Sequence, residues 1–319
     1  MLCHPGETRM EESIRQHLTW KGLTSDIKKK CRTCHTCQIV KRTKSNYGKL
    51  PAKEAESIPW DILCTDLIGP YTIRKKGKKY TLWCVTMIDP ATSWFELRQI
   101  KNKTAINVAN VVEQTWLTRY PWPTQIIFDR GTEFMGEFAK MARDDYGLKT
   151  KPITTRNPQA NAIIERAHQT IGNMIETITT NPNLELDDED PWSGILSSVQ
   201  FAMRATVHTT LKASPMQLVF GRDAMFNIPF TANWNDIRKR KQSIINKNNI
   251  QENKKRRQYQ YSAGDKVLVE ARITDKYSEP IWNGPYLVTK VHDNGTLRLQ
   301  HGVVSETVNI RRIKQYLTK

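Results

Sequence analysis

WDILCTDLIGP, residues 60–70, reads as a strand leaving a folded core, and the rest of the chain is organised around it. Side chains alternate along a strand, so Ile62, Cys64 and Asp66 share one face. After the turn RKKGK, the stretches KKYTLWCVTMID (78–89) and TSWFELRQI (92–100) read as two further strands, which makes an antiparallel meander. TAINVANVVEQTWLTRY (104–120) then spaces Ile106, Val108, Ala109, Val112, Trp116 and Leu117 as a helix does, and Pro121 stops it. TQIIFD (124–129) is a short buried strand, EFMGEFAKMARDDYG (133–147) a helix closed by Gly147, and LKTKPI (148–153) another strand. Three strands, helix, strand, helix, strand is an α/β order, expected to give one mixed five-stranded sheet covered by helices.

A long helix is expected from Asn161 to Thr179, then the acidic loop ELDDED, a helix in WSGILSSVQFAMRATVH and another in SPMQLVFGR. On the other side, residues 1–48 carry a cluster of cysteine and histidine. The basic linker at 226–261, partly helical, holds the runs RKRK and KKRR, and 262–319 shows the short alternating strands of a small β-barrel.

Lys and Arg outnumber Asp and Glu by 49 to 32, for a formal charge of +17. That excess attracts polyanions, and nucleic acid leads among them. No apolar run approaches the roughly 20 residues needed to cross a bilayer, and MLCHPGETRM lacks the apolar core of a secretory signal. The six cysteines include Cys31, Cys34 and Cys37 within seven residues, which suits metal ligation in a reducing compartment better than a disulfide framework.

Asp66 lies in the first strand of the middle region, Asp129 ends the strand TQIIFD, and Glu165 falls on the first turns of the long helix. An α/β sheet brings such residues to one edge, beyond its strand ends. Three carboxylates there suit a pair of hard divalent cations about 4 Å apart, the arrangement that serves phosphodiester transfer.

Residues 55–225 resemble the catalytic core of retroviral and Ty3/gypsy-type retrotransposon integrases, in the WDILCTDLIGP strand, the FDRGTEF turn and NPQANAIIER, with 35 residues between Asp129 and Glu165. The resemblance implies a central ribonuclease-H-like fold, with a small helical zinc-binding domain before it and a small SH3-like β-barrel after it. It implies Asp66, Asp129 and Glu165 as ligands of two Mg²⁺ or Mn²⁺ ions. It further implies two reactions on double-stranded DNA, 3′-end processing and strand transfer, by a homo-oligomer, commonly a tetramer. The expected location is the nucleus, with passage through cytoplasmic retroelement particles. Gln159, Asn161 and Arg166 fall where related enzymes approach DNA; helix capping for the first two, and pairing with a carboxylate for Arg166, are the alternatives. His168 and Gln169 stand one turn beyond Glu165, where some relatives use basic side chains. Ala162 replaces the glycine many relatives have after the asparagine.

CRTCHTCQIVK (31–41) contains two overlapping Cys-x-x-Cys pairs, which favour tetrahedral zinc if further ligands come from elsewhere. By the resemblance His4, Cys34 and Cys37 match three zinc ligands, and Trp20 and Gly22 the internal packing segment. The first histidine has no counterpart and would fall upstream of Met1, as in an amino-terminally truncated copy. Cys3, His17, Cys31 and His35 are the substitutes on hand, none at the expected position, and Cys31 reads best as a free thiol. Gly284, Pro285 and Tyr286 match the Gly-Pro-Tyr element of the family's terminal barrel, in which Trp282 and Tyr286 are expected to pack. Arg238, Lys239, Arg240 and Lys241, with Lys254, Lys255, Arg256 and Arg257, are expected to neutralise DNA phosphates. The rival to an active integrase is a catalytically inactive or domesticated integrase-derived DNA-binding protein. A ribonuclease H or a DNA transposase shares the acids but leaves the flanking modules unexplained.

Overall fold

Three short helices begin the computed structural model, which describes residues 6–41, 46–75, 78–152, 158–180, 190, 192–271 and 280–318. They are α1 (Glu7–Arg15), α2 (Leu23–Thr33) and α3 (His35–Val40). Only α2 buries residues, Leu23 and Ile27. Trp20, expected inside, is 44% exposed and donates Nε1 to Asp26 Oδ2 at 2.8 Å. So small a core gives little hydrophobic return against chain entropy.

After the two-residue β1 (Asn46–Tyr47), the middle of the chain forms β2 (Ile62–Lys75), β3 (Lys78–Ile88), β4 (Phe95–Ile100), α4 (Ala105–Val112), β5 (Gln125–Phe128), α5 (Glu137–Lys140) and β6 (Lys149–Pro152). A π-helical turn, Glu113–Leu117, continues α4 and sends Trp116 inward. The helix expected at 133–147 is shorter: Thr132–Phe134 is a 3₁₀ turn, and Gly136, at φ +65°, separates it from α5. The sheet order is β4-β3-β2-β5-β6, with β2, β3 and β4 antiparallel and β5 and β6 parallel to β2. This is the expected mixed five-stranded sheet.

Alternation along β2 separates two cores. Ile62, Cys64 and Ile68 pack with Ile164, Ala167, Ile171 and Ile175 of α6 (Pro158–Thr179) and with α7 (Ser193–Ala205). On the opposite face, Leu63 joins Val108, Val112, Trp116, Phe134 and Phe138. Between Ile68 and Tyr71 the β2–β3 register shifts, and Gly69 occupies the bulge at φ +122°. A Cβ there would lie 2.5 Å from Leu82 O, so the bulge requires glycine. Helix α8 (Pro215–Phe220) follows, started by a Ser214–Gln217 capping box and stopped at Gly221.

The basic segment contains a 21-residue helix, α9 (Trp234–Lys254). Beyond the short β7 (Arg256–Arg257) come β8 (Lys266–Glu270), β9 (Trp282–His292), β10 (Thr296–His301), β11 (Val304–Asn309) and β12 (Ile313–Gln315). They form an antiparallel sheet in the order β11-β10-β9-β8-β12, around Val267, Val288, Leu297, Leu299, Val308 and Ile313. Gly284, Pro285 and Tyr286 lie within β9; Trp282 is buried, and Tyr286 packs on the barrel core. Contacts group the chain into two units, 54–245 and the pair of segments 1–53 and 246–319.

Candidate catalytic and metal-binding sites

Strands β2 and β5 run parallel, with Ile62 opposite Gln125, Leu63 opposite Ile126 and Cys64 opposite Ile127. Two residues further along, that register sets Asp66 level with Asp129, just past the end of β5. Adjacent strands lie about 4.8 Å apart, and strand parity puts Asp66 on the face of Cys64, while Asp129 follows Ile127 by two residues where the chain leaves β5. Helix α6 covers the same face through Ile164 and Ala167, and Glu165 stands between them, exposed.

A buried relay ties that helical turn to Asp66. Thr86 on β3 is the cross-strand partner of Asp66 and has no exposed surface. Its hydroxyl donates to Asp66 O at 3.0 Å and meets His168 Nε2 at 2.9 Å. With its single proton given to the carbonyl, Thr86 Oγ1 accepts from the imidazole, which fixes the tautomer protonated at Nε2. Burial pushes the His168 pKa down to about 4, so the ring is neutral, as this arrangement needs. His168 follows Glu165 by about one helical turn. The sequence had offered His168 only as a basic group near DNA, and Thr86 had carried no signal.

Asp129 Oδ1 accepts from Gly131 N at 2.8 Å, and Asp66 Oδ1 accepts from Leu67 N at 2.8 Å. A Cβ on Gly131 would lie 2.6 Å from Glu133 Cδ and 2.9 Å from Asp129 Oδ1, so the bare backbone leaves room for both carboxylates. The donor set suits a hard divalent cation: its ligands are carboxylate oxygens, and the nearby imidazole is already committed to Thr86. Among the described residues no three Asp, Glu, His or Cys are gathered within reach of one ion. The sheet register sets Asp66 and Asp129 at one level, while the first turn of α6 adjoins residues 153–157, outside the described residues.

Cys34 caps the start of α3 and Cys37 lies in its first turn. The Cys34 thiol is held below its ordinary range chiefly by the Cys37 backbone N–H, although its own desolvation opposes this. Burial, then the Cys34 thiol, push Cys37 up. A pair of thiols against helix N–H groups suits half of a tetrahedral zinc site. His4 and Cys3 lie outside the described residues. Cys31 turns away: its thiol reaches Met10 Sδ at 3.9 Å, and burial raises its pKa. The barrel grips α3, with Gln38 pairing its amide with Leu317 N and O at 2.9 Å each, His35 Nδ1 3.2 Å from Tyr316 OH, and Lys314 Nζ donating to Gln38 O.

The basic runs divide by direction. Arg238, Lys239, Lys254, Lys255 and Arg257 are exposed. Arg240 donates to Thr210 O and Leu211 O at 3.1 and 2.8 Å. Lys241 donates to Glu56 O, Pro90 O and Ala91 O at 2.7–2.9 Å, and burial brings its pKa down to about 8. Arg256 is buried and spans Gly48 O, Tyr47 O and Ile310 O. These three brace the fold, so of the eight residues expected to meet phosphate only the outward members are free of that role. Arg166 is exposed on α6, and the side chains of Gln159 and Asn161 lie outside the description.

An integrase zinc-binding domain model matches residues 1–43. The chain is 24% identical over 319 residues to the retrovirus-related Pol polyprotein from transposon 412 of Drosophila melanogaster, covering 93% of this chain and 25% of that one. It is 26% identical over 220 residues to the transposon Tf2-3 polyprotein of Schizosaccharomyces pombe, covering 68% of this chain and 16% of the relative. The chain therefore spans a quarter or less of the length of these curated relatives. A chain of the simian T-cell lymphotropic virus intasome, solved in complex with PP2A regulatory subunit B56 gamma, shares the fold with a TM-score of 0.64 at 13% identity, covering 98% of this chain and 96% of that chain. A match to the integrase zinc-binding domain at residues 1–43, similarity to retrotransposon polyproteins and a fold shared with an intasome chain along nearly the whole length are what this chain has in common with the integrases of retroelements.

Proposed function

We propose that the chain carries out 3′-end processing and strand transfer of element DNA into target DNA, with Asp66, Asp129 and Glu165 as its catalytic residues. The register that sets Asp66 level with Asp129 beneath the helix carrying Glu165 is the observation that supports this reading most strongly. Two Mg²⁺ or Mn²⁺ ions held by these carboxylates would supply the charge that activates the attacking oxygen and stabilises the leaving one. Water first opens a phosphodiester near each 3′ end, and the freed 3′-hydroxyl then attacks a target phosphodiester. The second step exchanges one phosphodiester bond for another, so it needs no external energy source.

The chain's own residues hold the geometry. Gly131 N–H orients the Asp129 carboxylate, and the His168–Thr86 relay holds the Glu165 turn over the Asp66 strand. Outward Arg238, Lys239, Lys254, Lys255 and Arg257 neutralise phosphates in this reading, with Gln159, Asn161 and Arg166 near the reacting end. Insertion of two DNA ends calls for two active sites, hence a homo-oligomer, commonly a tetramer in the family, working in the nucleus. Cys34 and Cys37, with His4, hold a structural zinc.

The test is strand transfer of a labelled duplex ending in the element's terminal sequence, with Mg²⁺ or Mn²⁺, comparing the chain with Glu165→Gln. Product from the wild type and none from a folded mutant is expected. Equal product from both would remove Glu165 from the mechanism.

A further inference from the structure

Strands β2 and β3 outrun the rest of their sheet. Strand β5 pairs with β2 only along Ile62–Cys64, and β4 with β3 only along Trp83–Ile88. The pairs from Tyr71 opposite Leu82 to Lys75 opposite Lys78 therefore form a two-stranded ribbon. One face is covered, because Tyr71, Ile73 and Tyr80 pack with Ile171, Met174, Ile175 and Ile178. Thr72, Lys79 and Thr81, by contrast, are exposed.

The charge on this ribbon works against its own pairing. Residues 74–79, RKKGKK, contain five cations, and no acid occurs between Tyr71 and Trp83. The register sets Arg74 opposite Lys79 and Lys75 opposite Lys78, and like charges directly opposite weaken a ladder. Lys78 and Lys79 are exposed, and neither makes an ion pair with any described residue. Beside the ribbon, exposed Lys103 holds its ammonium 3.8 Å from the Trp83 ring centroid, and Lys101 is exposed as well. Packing against α6 covers one face of the ribbon, and exposed Lys78 and Lys79 carry its positive charge into solvent.

We propose that the β2–β3 ribbon is a phosphate-binding finger for duplex DNA, separate from the basic runs of α9 and its neighbour β7. Counted back along β3 from Thr86, which is level with Asp66, the first basic residues are Lys79 and Lys78, seven and eight residues away. At about 3.3 Å per residue the finger reaches roughly 26 Å from the carboxylates, the length of about eight base pairs. It would thus grip a DNA arm one flank away from the reacting phosphodiester and contribute affinity without base preference. Identifying the polyanion as DNA rests on the proposed function; the exposure and charge of the finger do not.

Binding of the full chain to a labelled random-sequence duplex of about 40 base pairs, followed by anisotropy across a salt series, tests this. Lys78→Gln/Lys79→Gln is expected to weaken binding about threefold to tenfold at low salt and to flatten the log–log salt slope by about 2. Lys78→Arg/Lys79→Arg should restore both, and thermal unfolding should be unchanged in each variant. An unchanged slope overturns the finger, as does a loss of binding to phosphatidylserine vesicles with DNA affinity intact. If the wild type makes no strand-transfer product yet the slope change appears, only the enzymatic reading fails. An active wild type with an unchanged slope sinks the finger alone.

Discussion

Asp66 stands on a strand, and Asp129 just past the end of its neighbour, in a sheet packed on both faces, whereas Cys34 and Cys37 stand at the start of a six-residue helix that buries nothing of its own. The first site is held by a core that owes nothing to an ion. Its strands and the helix over them are held by the packed residues of both faces. In the second, two buried residues of α2 and the grip of Gln38 on Leu317 are what hold the thiols, and a metal there would add folding energy outright. In the proposed function, a metal in the sheet would serve chemistry and a metal in the helical module would serve structure.

The sharpest break between the two should come from Asp66→Asn and Asp129→Asn. Each is expected to lower strand transfer by roughly a thousandfold or more, with the melting temperature nearly unchanged, because the packed cores on both faces of the sheet are left intact. Turnover in either variant above a hundredth of wild type would remove that aspartate from the ligand set. Cys34→Ser should do the converse. It is expected to cost the helical module several kcal/mol, followed as lost helical circular dichroism and, through Gln38 and Lys314, as altered Trp282 fluorescence. Equal melting of Cys34→Ser and wild type, with and without added Zn²⁺, would mean that the thiols are ordinary surface groups.

The two sites were also unequally legible. Hydrophobic alternation in residues 60–70 and the helical spacing of 161–179 locate the strand and the helix that carry Asp66 and Glu165, since burial of one face leaves a periodic trace. Which residue faces Asp66 left no such trace. Counted back from the RKKGKK turn, Asp66 would meet Met87; the bulge at Gly69 shifts the register by one and puts Thr86 there instead. A one-residue bulge is a backbone event, so the His168–Thr86 relay emerges only from the fold. The same holds for RKRK and KKRR. Their composition announced phosphate contact, yet Arg240, Lys241 and Arg256 turn to main-chain carbonyls, a choice set by loops distant in sequence. In the helical module, the Cys-x-x-Cys spacing revealed the thiols but not the barrel residues that hold their helix.

His168 gives the comparison a pH axis. Its folded pKa, near 4, lies below the ordinary 6.5, so the unfolded chain binds the proton more readily between those values. Stability contributed by the neutral ring is full above about pH 6.5 and is lost as pH falls towards 4, by at most about 3 kcal/mol. In His168→Gln the acid limb of the 54–245 unit's unfolding curve should flatten over that window. A limb of unchanged steepness would mean that the imidazole is not buried in neutral form.

Gly131→Ala should have the smallest effect and is the most local probe. The added methyl would meet two groups of different freedom. Glu133 Cδ, at 2.6 Å, belongs to the far end of a flexible side chain and can swing away. Asp129 Oδ1, at 2.9 Å, is held by the N–H of residue 131 itself, so the carboxylate can yield only by weakening the bond that orients it. Backbone strain adds nothing, because Gly131 has φ −61°, open to any residue. The expected outcome is a stability change within about 1 kcal/mol and a kcat reduced roughly tenfold, as a displaced ligand implies. A kcat equal to wild type would mean that the Asp129 carboxylate works from a rotamer free of Gly131, and the strand-borne site would be looser than its sheet.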